Sequence, residues 1–145
     1  MTAVRPLRGT DAADWRRLWR DYLAFYETAL PEAVFDATFA RLIDPAEPMR
    51  GLVAERDGCV VGIANLIVHR HGWRLGDVCY LQDLFVDPAE RGSGAGRALI
   101  EATYALADAE GWESVYWTTQ DFNETARALY DRVGVLTPFI KYMRP

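Results

Sequence analysis

The chain has 145 residues, 50% of them hydrophobic and 26% charged, with a formal net charge of -5. That size and balance fit a single domain spanning 1–145 with its own core, and they give no sign of disorder. The acidic balance argues against general nucleic-acid binding and is compatible with a cationic substrate. The opening Met-Thr-Ala-Val-Arg-Pro lacks the apolar centre of a secretory signal, and no apolar run approaches the ~20 residues of a membrane span, so a cytoplasmic location is expected. Cys59 and Cys79 lie in separate strand-like runs without metal-ligand spacing and read as buried thiols.

In chain order, Ala3 to Leu7 reads as a short strand. Thr10 or Asp11 can cap a helix whose Trp15, Leu18, Trp19, Tyr22, Leu23 and Tyr26 fall at helical spacing, giving one apolar, aromatic face. Leu30-Pro31 breaks it. A second helix carries Phe35, Phe39, Leu42 and Ile43 until Asp44-Pro45. Leu52 to Arg56 and Val60 to Val68 flank Asp57-Gly58, a hairpin signal between strand-forming runs. His69 to Gly72 makes a turn, and Arg74 to Val86 returns as the strand that feeds a glycine-rich loop. The following helix runs to about Glu110 and stops at Gly111. Val115 to Thr119 is a strand. Asn123 can cap a last helix, with Ala126, Leu129, Tyr130 and Val133 as its stripe and Gly134 closing it. Phe139 to Met143 is the final strand. The fold class is therefore α/β (α+β), a mixed central sheet flanked by about four helices.

The stretch Tyr80 to Arg97 carries the chemistry. Leu84, Phe85 and Val86 form a strand end, Asp87-Pro88 turns the chain, and Ala98, Leu99, Ala102 and Leu106 take up helical spacing. Between them, Gly92, Gly94 and Gly96 let an anion approach backbone N–H groups at the positive end of a helix, which suits a diphosphate. A Walker loop is excluded because Arg97 and Ala98 follow Gly96, and the dinucleotide fingerprint lacks its third glycine. The pattern that fits is Arg-x-x-Gly-x-Gly at Arg91, Gly94 and Gly96, after Leu-Phe-Val-Asp-Pro. Together with Asn123-x-x-Ala126-x-x-Leu129-Tyr130, it resembles the GNAT superfamily of acyl-CoA N-acyltransferases over nearly the whole chain. Tyr-Leu-x-Asp-Leu-Phe-Val is most similar to the branch of spermidine/spermine, thialysine and microbial histone or polyamine acetyltransferases.

The resemblance implies acetyl-CoA as co-substrate, no metal, and a small amine or peptide amine as acceptor. It implies that Leu84, Phe85 and Val86 pair with the pantetheine arm. Amides from Arg91, Gly92, Ser93, Gly94, Ala95, Gly96 and Arg97 would hold the pyrophosphate, and a backbone N–H near Phe85 the oxyanion. Asn123 would reach the cofactor arm, beside its plain reading as a helix cap. Tyr130 would protonate the departing thiolate, where spacing alone makes an inward tyrosine a core residue. The acceptor amine must lose a proton, and at the branch's glutamate position this chain has Gln82, whose amide cannot act as a base. Asp83 is adjacent, but strand alternation points it to the opposite face unless a bulge intervenes. Glu27, with Tyr26, ends a helix resembling the branch's substrate side; a solvated helix end explains it equally. Gln82, Asp83, Tyr26 and Glu27 are the acceptor-side candidates. His69 and His71 are explained by a strand-end turn, and Trp73 and Trp117 are read as strand aromatics that fill core or line the acceptor cleft. Relatives of this kind pair as dimers with the C-terminal strands near the interface, so a homodimer is expected. The alternative function is an acyl-CoA-binding regulatory module that has lost catalysis, motivated by Gln82.

Overall fold

The structure is a computed structural model and describes residues 2–145. Its elements run β1 (Thr2–Pro6), α1 (Ala12–Phe25), α2 (Glu32–Ile43), β2 (Met49–Arg56), β3 (Cys59–His69), β4 (Val78–Val86), α3 (Ala95–Glu110), β5 (Val115–Tyr116) and α4 (Glu124–Val133). The strands form one sheet in the order β1-β2-β3-β4-β5. Pairing is antiparallel from β1 to β4 and parallel between β4 and β5. This is the mixed α/β sheet expected from the sequence. The hairpin between β2 and β3 turns on Asp57 and Gly58, whose φ of 53° and 78° put both in the left-handed region that a two-residue hairpin requires.

Each face of the sheet is covered. On one side α1 and α2 bring Trp15, Leu18, Trp19, Phe35 and Leu42 onto Val53, Ile63 and Phe85. On the other, Ala95, Leu99 and Ile100 of α3 bury Leu52, Ala54, Val61, Ala64, Leu66 and Leu81. Aromatic packing fixes the first layer. Trp15 stacks on Trp19 at 5.0 Å, and Trp19 meets Phe35 edge-on at 4.9 Å. No helix among the described residues is long and apolar enough to cross a membrane.

One irregularity in β4 decides where its side chains go. Asn65 pairs with Asp83 while its neighbour Leu66 pairs with Leu81, so Gln82 is an extra residue in the strand. The bulge resets the alternation. Cys79 and Leu81 lie on the α3 side before it, and Leu84 and Val86 lie there after it, which leaves Asp83 and Phe85 facing α1. The bulge also marks where β4 leaves its neighbour. β5 pairs only through Cys79↔Val115 and Tyr80↔Tyr116, and beyond that point the two strands part.

Several expectations are corrected. The strand expected from Arg74 begins at Val78, and Trp73 sits in the preceding turn, 87% exposed rather than in a strand. The strand expected over Val115 to Thr119 stops at Tyr116, because β4 has moved out of hydrogen-bonding reach. Cys59 is exposed at the start of β3; only Cys79 is a buried thiol. The largest departure is the C-terminus. Phe139 to Met143 has strand-forming residues but no strand to pair with, and it forms none. Phe139 is 80% exposed and Ile140 79%.

Candidate active site

The gap between β4 and β5 opens onto a cleft lined by Tyr22, Tyr26, Leu81, Gln82, Leu84, Trp117, Thr118 and Tyr130. Three parts of the chain meet there: the end of α1, the bulge of β4, and the segment after β5 together with α4. The edge of β4 that faces the gap can be phased from one bond. Asp87 N–H donates to Val61 O at 2.8 Å, so in an antiparallel ladder the N–H groups of Phe85 and Asp83 also turn toward β3. Those of Leu84 and Val86 point into the gap. Of the backbone N–H groups near Phe85, those of Leu84 and Val86 are therefore free for a ligand in the gap, and that of Phe85 is not.

At the end of β4 the chain passes through a tight turn at Pro88–Glu90, fixed by Ala89 N–H donating to Asp87 Oδ1 at 3.0 Å, and enters the glycine loop. Gly92 and Gly94 have φ of 83° and 87°, and Gly94 is the N-cap of α3. A side chain there would be strained whatever the space around it. A Cβ at either would meet nothing within 4 Å, so the concave side of the loop is open. Gly96 differs: a Cβ there would lie in ordinary contact, 3.4 Å from Leu129 Cδ2, so this glycine faces α4 and not open space. The first N–H groups of α3, at Ala95, Gly96 and Arg97, have no acceptor within the helix. Ser93 Oγ is buried without a hydrogen-bond partner. Open glycines, unclaimed N–H donors and an orphaned hydroxyl at a helix start fit a diphosphate. Arg91 is exposed beside the loop, whereas the Arg97 guanidinium is paired through Nε with Glu101 at 2.8 Å.

Tyr130 rises into the cleft from α4, half-buried, with its ring 5.5 Å from Trp117 in an edge-on contact. Burial, with a smaller contribution from Tyr26, pushes its phenol up to about 12, so it is protonated at neutral pH and able to donate. Asn123 caps α4, its Oδ1 accepting from Ala126 N–H at 3.3 Å; that satisfies the cap reading and leaves the amide nitrogen for another acceptor.

On the acceptor side, Gln82 is exposed at the bulge and Tyr26 lines the cleft. Glu27 does not line it. It sits past the end of α1 at φ 54°, in the left-handed position of a helix stop in which Glu27 N–H bonds Ala24 O and Thr28 N–H bonds Leu23 O, both at 2.9 Å. Asp83 was expected on the face opposite Gln82 unless the strand was bulged; the bulge turns it toward α1. Only 7% exposed, its carboxylate accepts from Asn65 Nδ2 at 2.9 Å and Trp19 Nε1 at 3.2 Å, with Tyr22 close by on α1. Asn65 in turn accepts from Trp15 Nε1 at 3.0 Å. Trp15, Trp19 and Asn65 were missed as polar participants. The available signal was that two buried indoles on one helix face need hydrogen-bond acceptors.

His69 ends β3 and His71 lies in the turn that follows, as expected, His69 Nε2 lying 2.7 Å from the Tyr116 hydroxyl and His71 Nδ1 accepting from Trp73 N–H at 3.1 Å.

Comparison with known proteins agrees with this geometry. The profile of the acetyltransferase (GNAT) family matches residues 15–135. The chain belongs to the GNAT acetyltransferase family. It is accordingly an acetyl-CoA-dependent N-acetyltransferase. The D-amino-acid N-acetyltransferase HPA3 of Saccharomyces cerevisiae is 36% identical over 143 residues, covering 97% of this chain and 89% of that protein. The uncharacterized N-acetyltransferase YhfO of Bacillus subtilis is 29% identical over 141 residues, covering 96% of this chain and 94% of its own length. Among solved structures, that of AAC(6')-Iy in complex with a bisubstrate analogue superposes with a TM-score of 0.86, covering 100% of this chain and 98% of that one. At 19% identity this is likeness of fold.

Proposed function

We propose that this GNAT enzyme transfers acetyl from acetyl-CoA to the primary amine of a small cationic acceptor, an amino acid or a polyamine-like amine, with Tyr130 as the general acid. The observation that carries the reading is the convergence on one cleft of a protonated, half-buried Tyr130, the open edge of β4 and the aromatic end of α1. The phosphate loop lies at the far end of the same strand. Leu84 and Val86 would hydrogen-bond the pantetheine arm as an added strand, Phe85 buttressing them from below. The N–H groups of Ala95, Gly96 and Arg97, together with the open loop at Arg91, Gly92, Ser93 and Gly94, would hold the pyrophosphate. Asn123 would offer its amide nitrogen to the same arm.

The acceptor enters between Tyr22, Tyr26 and Gln82. Aromatic faces and a buried carboxylate behind them favour an ammonium, and Gln82 can position it without taking its proton. The 36% identity to a D-amino-acid N-acetyltransferase supports amino acids within the acceptor class, and the 32% identity over 69 residues to a thialysine N-epsilon-acetyltransferase of Caenorhabditis elegans supports a place near that enzyme. We further propose that the protein works as a homodimer, because a C-terminal segment bearing Phe139, Ile140, Tyr142 and Met143 in solvent lacks a partner of its own. The alternative of an acyl-CoA-binding module without turnover rests on Gln82 alone, and the protonated Tyr130 in the cleft favours an enzyme.

The test is thiol release from acetyl-CoA with a panel of D- and L-amino acids, polyamines, aminoglycosides and basic peptides, with products read by mass. The reading expects an N-acetylated primary amine from the amino-acid or polyamine set. Binding of acetyl-CoA without turnover on any amine supports the regulatory alternative instead.

A further inference from the structure

The acetyltransferase reading leaves the acceptor's proton without a destination. Gln82 is an amide, and Glu27 lies outside the cleft. The buried carboxylate of Asp83 lies behind this wall of the cleft, and so far it has only an electrostatic part and none in proton transfer. Among the described residues no basic side chain forms an ion pair with it. Its surroundings are neutral: Asn65 from β3 and Trp19 from α1 donate to it, and Tyr22 of α1 lies close by. The titratable groups that face it are Tyr22 and Tyr26. Keeping a carboxylate in such a place costs several kcal/mol relative to solvent, and neutral donors offset only part of that. Tyr22 lies one helical turn past Trp19, which bonds Asp83 directly, and it also lines the cleft, so it belongs both to the surroundings of the buried acid and to the wall an acceptor would meet.

We propose that Asp83, acting through the Tyr22 hydroxyl, accepts the proton that the acceptor ammonium must lose. The inference rests on the acetyltransferase reading and supplies its missing base. The ammonium gives one N–H proton to the Tyr22 oxygen as the Tyr22 O–H proton passes to the Asp83 carboxylate. The freed lone pair forms the C–N bond as the C–S bond breaks, and Tyr130 gives its proton to sulfur. The second amine proton leaves the new amide nitrogen and restores Tyr130, and Asp83 returns its proton to solvent through Tyr22. Two features support this division of labour. Burial raises the Asp83 carboxyl above the ordinary carboxylate value, which makes it a better base than an exposed aspartate, and burial followed by the Asp83 charge raises Tyr22. Tyr22 therefore conducts a proton without ever persisting as phenolate. Asn65 and the two indoles hold the carboxylate in place.

The experiment compares Asp83→Asn and Tyr22→Phe with the parent on two acceptors of similar shape, an alkylamine that is protonated at the assay pH and a fluorinated alkylamine that is already neutral there. The relay predicts a fall in kcat/KM of roughly 10²-fold or more for the protonated amine in both variants, and a loss below about 5-fold for the neutral one. Thermal unfolding and acetyl-CoA affinity are read alongside, and Tyr22→Phe, which keeps the ring, carries the test if Asp83→Asn does not fold. Equal losses on both amines would assign Asp83 and Tyr22 a purely structural role and overturn the relay, as would unchanged activity in Tyr22→Phe. A parent that turns over no amine at all would overturn the acetyltransferase reading itself, a result distinguishable from failure of the relay alone.

Discussion

Asp83 and Gln82 are neighbours whose roles are set by a single extra residue. With regular alternation the carboxylate would face α3; with Gln82 bulged out, it meets Trp19 and Tyr22. The sequence showed the pair of candidates but not the bulge, because a bulge is a property of two strands in register and only one of them carries the signal. Tyr130 and Asn123 were legible, since helical spacing and capping are local. The raised carboxyl of Asp83 has a consequence for stability, with a definite sign. The folded state takes up this proton at a higher pH than the unfolded chain, so the contribution of Asp83 is most favourable below the ordinary carboxylate range and is lost as pH rises through the folded value. Asp83→Asn removes that dependence. The difference in Tm, variant minus parent, is expected to move in the variant's favour as pH rises above the ordinary carboxylate range, by about 2–4 °C for each ~1 kcal/mol of linkage. A difference independent of pH would show that Asp83 titrates alike in both states.

At the scale of elements, the glycine loop and α3 were readable in detail, from Gly94 at the start to Gly111 in its left-handed stop, because glycine marks backbone geometry directly. What could not be read is that the three glycines do different work. Gly94 is left-handed with open space above it; Gly96 is a packing contact to Leu129. Gly94→Ala is therefore expected to cost ~1–2 kcal/mol of stability through its positive φ and to weaken acetyl-CoA binding by about 10-fold or more, as the methyl group crowds the anion's approach. Gly96→Val should disturb the seating of α4, and Tyr130 with it, so its loss of turnover should exceed its loss of affinity. Calorimetry with acetyl-CoA on both variants checks this. Unchanged affinity in Gly94→Ala would remove the loop from the cofactor site.

For the whole molecule, the order of the helices and of the first four strands followed from periodicity and turn residues. The end of the chain did not. Phe139 to Met143 has the composition of a strand, but a strand exists only in pairs, and the edge strand that precedes it in the chain, β5, is two residues long. The exposed segment gives the dimer proposal its physical content. Light scattering is expected to give twice the chain mass over a wide concentration range, and removal of residues 135–145 is expected to shift it to the monomer. A monomeric parent would contradict the dimer while leaving the cleft untouched.

The claim on which the account turns is that Tyr130 donates the proton to the leaving thiolate. Tyr130→Phe keeps the ring against Trp117 and removes only the hydroxyl. The account predicts a fall in kcat of ~10²- to 10⁴-fold, toward the low end because a thiolate leaves readily, with acetyl-CoA affinity close to that of the parent. Full turnover of Tyr130→Phe on its best amine across the pH profile would contradict it and make Tyr130 a core residue.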